Sequence, residues 1–536
     1  MTGKLFYGDN LDILRNSIAD ESVDLVYLDP PFNSNASYNV LFKAPDGHES
    51  HAQMEAFDDT WHWTDVAERA FDDVMQSGNT DAAEMLRAMR SFLKENDMMA
   101  YLAMMAVRLI ELHRVLKKTG SLYLHCDPTA GHYLKILLDA VFGPRCFVNE
   151  ISWRRTTAKA DYQQGAVHFP RVRDVIFRYA RNAKHDVTFN QTFSEYDQAY
   201  IASKYRHRDE NGRLYRLDNL TGPGGASKGN AFYEVMGVKR YWRYSKERME
   251  DLITQGRIIQ TNPGTVPQYK RYLDEMPGVP TSDDWDDIRP INSQAQERLG
   301  YPTQKPLALL ERIINASSNE GDVVLDPFCG CGTTVHAAQK LNREWIGIDV
   351  THLAISLIQK RLRDAFGPSI AIEVNGVPKD AGGAEALAEA DKYQFQWWAV
   401  SLVDAIPFGD KKKGADGGID GLIYFKPDGK ATEKAIVSVK GGRNVGVTMV
   451  KDLIATVERE KAKMGIFITL APPTGPMIKE AASAGFYKTD YGSYPKIQIL
   501  TIEQLFEGHK PHMPWIDPTV FRKAKKEDTS KQHKLL

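Results

Sequence analysis

Two stretches of the chain carry side chains whose order suits chemistry. Asp29-Pro30-Pro31-Phe32 follows VDLVYL, an apolar run that reads as a buried strand. Proline fixes φ, lacks an N–H and pushes the residue before it out of the α region, so these residues must leave the strand as a stiff, extended loop. That loop presents a carboxylate, carbonyls and a flat ring in one geometry at a sheet edge. The second stretch, VVLDPFCGCGTT (323–334), reads as strand, glycine loop and helix start, with backbone N–H groups facing whatever sits above the sheet. Gly330 and Gly332 allow close approach. Asp349 ends the next strand, 23 residues after Asp326, where an acid usually holds a ribose hydroxyl. A nucleoside-bearing cofactor is implied. The loop is no P-loop, because no Lys follows its last glycine, and it lacks GxGxxG spacing. Cys329 and Cys331 lie too close for a metal knuckle and read as small residues in a tight turn.

The elements that must position these residues follow α/β order. Residues 4–14 alternate strand-like and helical pieces around a Gly8-Asp9-Asn10 turn; with the strand at 23–28 they precede a helical apolar pattern over 84–117, a strand at 121–127 and a helix near 131–142 stopped by Gly143-Pro144. Residues 150–295 are irregular, basic and aromatic, as binding regions often are. Regular order returns with a helix at LALLERIINAS, the strand and glycine loop, a helix at TTVHAAQKL and a strand at 345–349. Residues 377–393 read as a linker or a loose helix, 394–510 as a second α/β body, and 511–536 as a basic tail with the composition of disorder.

At 536 residues the chain has room for about three compact units. With 42% hydrophobic and 26% charged residues it is an ordinary globular composition, without an 18-residue apolar window or an apolar leader. Four cysteines in so long a chain point to a reducing compartment, hence a cytoplasmic protein. Net charge is −2, so nucleic-acid affinity needs local patches. Residues 151–184 hold eight Lys or Arg against two Asp, +6. VKRYWRYSKER (238–248) interleaves cations with rings, the makings of phosphate contact and base stacking. Arg154, Arg155, Lys239, Arg240, Trp242 and Arg243 are the candidate contacts; a solvated charged face over aromatic core residues fits the composition equally well.

GDN ahead of DPPF, with YPTQKP (301–306) just before DPFCGCGTT, closely resembles the β class of DNA amino-methyltransferases over about residues 4–365. The resemblance implies a Rossmann-like, S-adenosylmethionine-dependent methyltransferase fold with circularly permuted motif order: a catalytic half at 1–149, a target-recognition region at 150–295 and a cofactor half at 296–376. It puts Asp326, Phe328, Gly330, Gly332 and Thr333 around the methionine end of the cofactor, Asp349 on its ribose, Asp9 near its adenine, and Thr303 and Lys305 on its carboxylate. The chemistry then falls to DPPF. An exocyclic amine is a poor nucleophile because its lone pair is delocalised, and Asp29 with the Pro30 carbonyl can each accept one N–H and re-aim that pair. Pro31 stiffens the loop, and Phe32 can stack on a base flipped from duplex DNA. In that family the DPP[YF] form suggests adenine N6, and SPP forms cytosine N4, which stays as the alternative. No membrane partner is expected, and the acting unit is one chain or a homodimer.

GADGGIDGLIYF (414–425) followed by AIVSVKGG (435–442) resembles the Mrr-like branch of the PD-(D/E)xK nuclease fold. Asp420 and Lys440 sit at the matching places, but Ser438 holds the middle one and is a weak Mg²⁺ ligand. Two outcomes follow from this resemblance: a bifunctional restriction-modification protein that uses Mg²⁺ to cut DNA, or a methyltransferase carrying a non-cleaving DNA-binding body.

Overall fold

The computed structural model describes residues 3–31, 37–43, 49–58, 62–157, 167–183, 187–292, 295, 297, 304–408, 418–427, 432–514 and 527. It divides into two compact units, residues 1–190 with 283–536, and residues 191–282. Phe32 and Thr303 lie outside the described residues.

The larger unit is built on nine strands: β1 (Gly3–Tyr7), β2 (Val23–Leu28), β3 (Leu116–Cys126), β4 (Phe147–Arg154), β5 (Arg173–Ala180), β6 (Asp284–Trp285), β7 (Val323–Asp326), β8 (Glu344–Asp349) and β9 (Ile372–Asn375). Their order in the sheet is β6-β4-β5-β3-β2-β7-β8-β1-β9. Only β5 runs against the others, pairing antiparallel with β3 and β4. All six residues of β2 are buried, as a parallel strand covered on both faces demands. Helices α1 (Asn10–Ser17), α2 (Asp65–Gln76), α3 (Thr80–Leu93), α4 (Asp97–Val115), α5 (Gly131–Phe142), α6 (Leu307–Ser317), α7 (Thr333–Lys340) and α8 (His352–Phe366) pack on this sheet. The helical pattern at 84–117 is two helices, because Lys94 adopts φ +63° and Asn96 caps α4 through the Met99 N–H at 2.9 Å.

The decisive register is that of β2 with β7, Leu25 opposite Val324 and Val26 opposite Leu325. From β2 the chain moves to β3 on one side; from β7 it moves to β8 on the other. The ends of β2 and β7 therefore flank a topological switch point, where α/β sheets open a crevice for ligands.

Two boundaries differ from those the sequence suggests. Residues 147–154 and 173–180 join the large sheet, where β4 and β5 bury Ile151, Trp153, Ile176, Phe177 and Tyr179; the separate unit begins at Gln191. Of the two readings of residues 377–393, the helix is the one found, and it is packed rather than loose. Helix α9 (Ala381–Ala390) places the small side chains of Ala384 and Ala388 in a core shared with Phe395, Trp398 and Val439.

That core belongs to a five-stranded sheet, β10 (Ile406–Pro407), β11 (Gly421–Phe425), β12 (Glu433–Lys440), β13 (Met464–Thr469) and β14 (Ile497–Thr501), in that order. β10, β11 and β12 pair antiparallel; β12, β13 and β14 are parallel. Helices α10 (Lys392–Ser401), α11 (Val447–Arg459), α12 (Gly475–Ser483) and α13 (Ile502–Phe506) pack around it.

The smaller unit holds a four-stranded antiparallel sheet, a two-stranded ribbon (Ala231–Val235 and Val238–Trp242) and a helix (Lys246–Thr254) started by the Ser245 cap. Leu220, Val235, Trp242, Met249, Leu252 and Ile258 form its core. Among the described residues no helix is long and apolar enough to cross a membrane.

Candidate active site

Three acids stand at the ends of adjacent parallel strands: Asp29 just past β2, Asp326 closing β7 and Asp349 closing β8. Asp29 is ion-paired through Oδ2 with Lys305, which lies two residues before α6. Its Oδ1 is buried and has no hydrogen-bond partner among the described residues. A buried acceptor left open costs free energy unless a donor arrives, so this oxygen is poised for an N–H. Pro30 is buried and Pro31 half-buried, which holds the loop that carries Asp29.

Asp326 accepts the Phe328 N–H at 3.0 Å. Burial pushes its carboxyl up to about 7, with the Asp29 and Asp349 charges adding to the effect. Asp349 is pushed up to about 6, again by burial, against the pull of hydrogen bonds from Thr351 and Gly330. Its Oδ2 accepts the Gly330 N–H at 2.8 Å, and its Oδ1 accepts the Thr351 N–H and hydroxyl at 2.9 Å each. The carboxylate thus ties the glycine loop to the start of α8. Gly332 has φ +75°, and a Cβ there would stand 2.7 Å from Ile358 Cγ1. Only glycine fits that turn. Phe328 is half-buried beside it, and Thr333 is buried in the first turn of α7.

Asp9 caps α1, accepting the Leu11 N–H at 2.7 Å, and pairs with Arg108 at 2.9 and 3.1 Å. Arg108 comes from the apolar middle of α4. Its Nε donates to Asn10 Oδ1 at 2.6 Å, and Asn10 Nδ2 donates to the Pro327 carbonyl at 2.8 Å. Asn10 and Arg108 lock the first helix to the glycine loop; Asn10 is legible only as the last residue of GDN, and Arg108 has no motif. The one signal for Arg108 was a cation inside the otherwise apolar run LAMMAVRLI.

The candidate DNA contacts fare differently. Arg154 is exposed at the end of β4, while Arg155 Nε sits 3.2 Å from the buried Asp174. Lys239 and Arg240 are exposed on the ribbon of the smaller unit, and Arg243 is exposed just after it, with Nε on the Thr221 carbonyl at 3.1 Å. Trp242 needs correcting. It is fully buried, its indole N–H donating to the Tyr233 carbonyl at 2.8 Å, so its face is spent on the core. The exposed ring on that ribbon is Phe232, tilted against Tyr241 with ring centroids 4.7 Å apart.

In the second body Asp420 precedes β11, and Ser438 and Lys440 lie near the end of β12. Asp420 Oδ2 accepts the Val439 N–H at 2.6 Å, Oδ1 accepts Gln396 Nε2 of α10 at 3.0 Å, and Lys440 Nζ lies 3.9 Å away. One carboxylate, already bonded at both oxygens, with an amide and a buried hydroxyl is a poor fit for Mg²⁺. Among the described residues no group of three or more His, Cys, Asp or Glu is suited to a metal. Mg²⁺ and unmethylated plasmid test the centre: nicking that Lys440→Ala abolishes would assign cleavage to it.

With this geometry in place, comparison with known proteins decides the family. Residues 23–360 match the family described as DNA methylase. The chain belongs to the DNA methylase family. Residues 387–506 of this methylase match a second family, described as restriction endonuclease. The type II methyltransferase M.EcaI of Enterobacter cloacae is 29% identical over 372 residues, 69% of this chain and 71% of its own. The StyLTI Mod subunit of a type III restriction-modification enzyme of Salmonella typhimurium is 28% identical over 63% of this chain and 50% of its own. The DNA adenine methyltransferase YhdJ of Escherichia coli is 47% identical over 78 residues, 15% of this chain and 26% of its own.

Proposed function

We propose that this methylase transfers the methyl group of S-adenosylmethionine to the N6 amine of adenine in duplex DNA, with the base turned out of the helix. The observation that carries the reading is Asp29 Oδ1, a buried acceptor without a partner among the described residues, standing where β2 meets the strand of the glycine loop. When bound, S-adenosylmethionine supplies an electrophilic methyl on a positively charged sulfur. The residues present fit it: Asp29, Asp326 and Asp349 end adjacent strands, the first and last charges acting on the middle one, and Gly332 at φ +75° makes the tight turn that brings the loop to the start of α7. Asp326, Phe328, Gly330, Gly332 and Thr333 would line its methionine end, and Asp349 its ribose.

Asp29 Oδ1 and the Pro30 carbonyl each take one N–H of the target amine, which leaves the nitrogen lone pair free to attack and steadies the charge that grows on nitrogen. The ion pair with Lys305 adds a role beside cofactor binding. By occupying Oδ2 it fixes the carboxylate in one orientation and leaves Oδ1 for the amine. Adenine is favoured by the DPPF form, with cytosine N4 the alternative. Duplex DNA is the partner, met by one chain or by a pair, and Lys239 and Arg240 lie on a two-stranded ribbon of the kind a major groove admits. We place target recognition in residues 191–282.

Labelled S-adenosylmethionine and varied unmethylated duplex DNA, followed by nucleoside analysis, test the reading. N6-methyladenine is expected. N4-methylcytosine alone would move the substrate, and no methylated base at all would overturn the proposal.

The pH dependence of cofactor binding has a definite sign. Asp326 and Asp349 titrate at about 7 and about 6, above the ordinary carboxylate range. As pH falls they take up protons in the ligand-free protein, and a cationic ligand must expel them. Affinity for S-adenosylmethionine should hold above pH 8 and weaken between pH 8 and 6, by up to about tenfold per pH unit for each group titrating. Calorimetry at pH 6.5 in buffers of different ionisation enthalpy should show proton release, reduced in Asp326→Asn.

A further inference from the structure

Beyond residue 514 one residue is described, Glu527, and it is bound to the methyltransferase body. Its N–H donates to the Ala365 carbonyl of α8 at 3.0 Å. Its carboxylate lies 3.3 Å from His336 Nε2 and 3.4 Å from Lys340 Nζ, both on α7. His336 is buried, and its other ring nitrogen, Nδ1, lies 3.1 Å from Arg361 Nε on α8. Arg361 is also buried, and its Nη1 lies 3.1 Å from both the Cys331 carbonyl and Thr333 Oγ1.

Guanidinium can only donate, so Nδ1 of His336 is the acceptor and the ring proton sits on Nε2, aimed at Glu527. Every bond then runs one way, from Arg361 through His336 to the carboxylate. Burial keeps the imidazole neutral, pushing it down to about 4. At the far end Arg361 grips two of the residues that shape the glycine loop, Cys331 and Thr333, on either side of Gly332 at its φ of +75°. The hydrogen-bond partners of that buried guanidinium are neutral; Glu297 acts on it through space, and the relay ties it to the tail carboxylate through His336.

We propose that Glu527 is a positioning residue for the cofactor loop: the tail carboxylate orients His336, His336 orients Arg361, and Arg361 holds the backbone and hydroxyl of residues 331–333 in the form that receives the cofactor. This rests on the reading of the glycine loop as a cofactor cradle. Nothing in the composition of the tail pointed to it, because one acid in RKAKKEDTSKQHKLL reads as part of a solvated basic segment.

The test titrates S-adenosylmethionine by calorimetry into the full chain, Glu527→Ala, Glu527→Gln and a chain ended at residue 514, with a thermal melt of each. Glu527→Ala and the shortened chain should raise Kd about fivefold or more, a usual size for coupling between separate sites. Glu527→Gln keeps an oxygen that accepts from Nε2 and should fall between them and the wild type. The melting midpoint should not track these changes. An unchanged Kd in both Glu527→Ala and the shortened chain, whether or not the midpoint falls, would reduce the contact to ordinary packing and overturn the inference. A wild-type chain that binds no S-adenosylmethionine would instead bring down the cradle reading, and the inference with it.

Discussion

Asp29→Asn should lower the rate of methyl transfer at saturating cofactor by about 10²- to 10³-fold, the usual loss when one preorganised electrostatic partner of a transition state is removed. The argument starts from the two oxygens. Oδ2 is committed to Lys305, and Oδ1 is the buried acceptor that the amine would meet. An asparagine keeps the size of the side chain but loses the charge that steadies a nitrogen becoming positive. It also brings an NH₂ that must face either Lys305 or the amine, and both are donors. Affinity for S-adenosylmethionine should stay within about threefold, because the loop bonds of Asp326 and Asp349 do not pass through Asp29. Asp29→Ala is the harsher variant, since it leaves Lys305 partly buried with its carboxylate gone, and breaking such a pair is strongly destabilising. Single-turnover rates and calorimetric Kd values for the asparagine variant separate the two effects. A loss of cofactor binding equal to the loss of rate would mean that Asp29 belongs to the cofactor site and that the clamp lies elsewhere.

The acids at the strand ends were legible because strand, loop and helix follow one another locally, and proline or glycine punctuates them. Their meeting was not a local matter. Asp29 and Asp326 become neighbours only through the pairing of β2 with β7, which spacing cannot show and which entered through the order of motifs in a resembling family. Lys305 was legible as a cation near an anion, but its carboxylate in the structure is Asp29. Arg108 was lost among the apolar residues of α4, where a helical pattern hides a cation whose partners, Asp9 and Asn10, lie about a hundred residues away. Trp242 failed for the opposite reason. An aromatic between arginines has the composition of a stacking surface, yet the pleat of the ribbon turns it inward, where its N–H finds the Tyr233 carbonyl. The alanines of α9 look like a linker because small residues carry little hydrophobic signal, although smallness is what lets that helix pack close to Gly441 and Phe395.

Asp349→Ala should raise the Kd for S-adenosylmethionine by about 10²-fold, the value of one or two hydrogen bonds to a charged group. Two losses would combine. On the proposed reading the ribose loses its acceptor, and the Gly330 N–H and the Thr351 N–H and hydroxyl lose the carboxylate that binds the glycine loop to the start of α8. Asp349→Asn separates them. It retains one oxygen to accept from Gly330 or Thr351 while surrendering the charge, so a Kd closer to wild type would assign most of the effect to the loop, and a Kd near that of the alanine variant would assign it to the cofactor. In both variants the rate at saturating cofactor should return to within a few-fold of wild type, because Asp29 and Pro30 sit on a different strand and keep their own geometry. A lasting rate defect with an unchanged Kd would place Asp349 at the reacting end of the crevice instead, and would exchange its role with that of Asp326, the acid that lies between it and Asp29 in the order of strands.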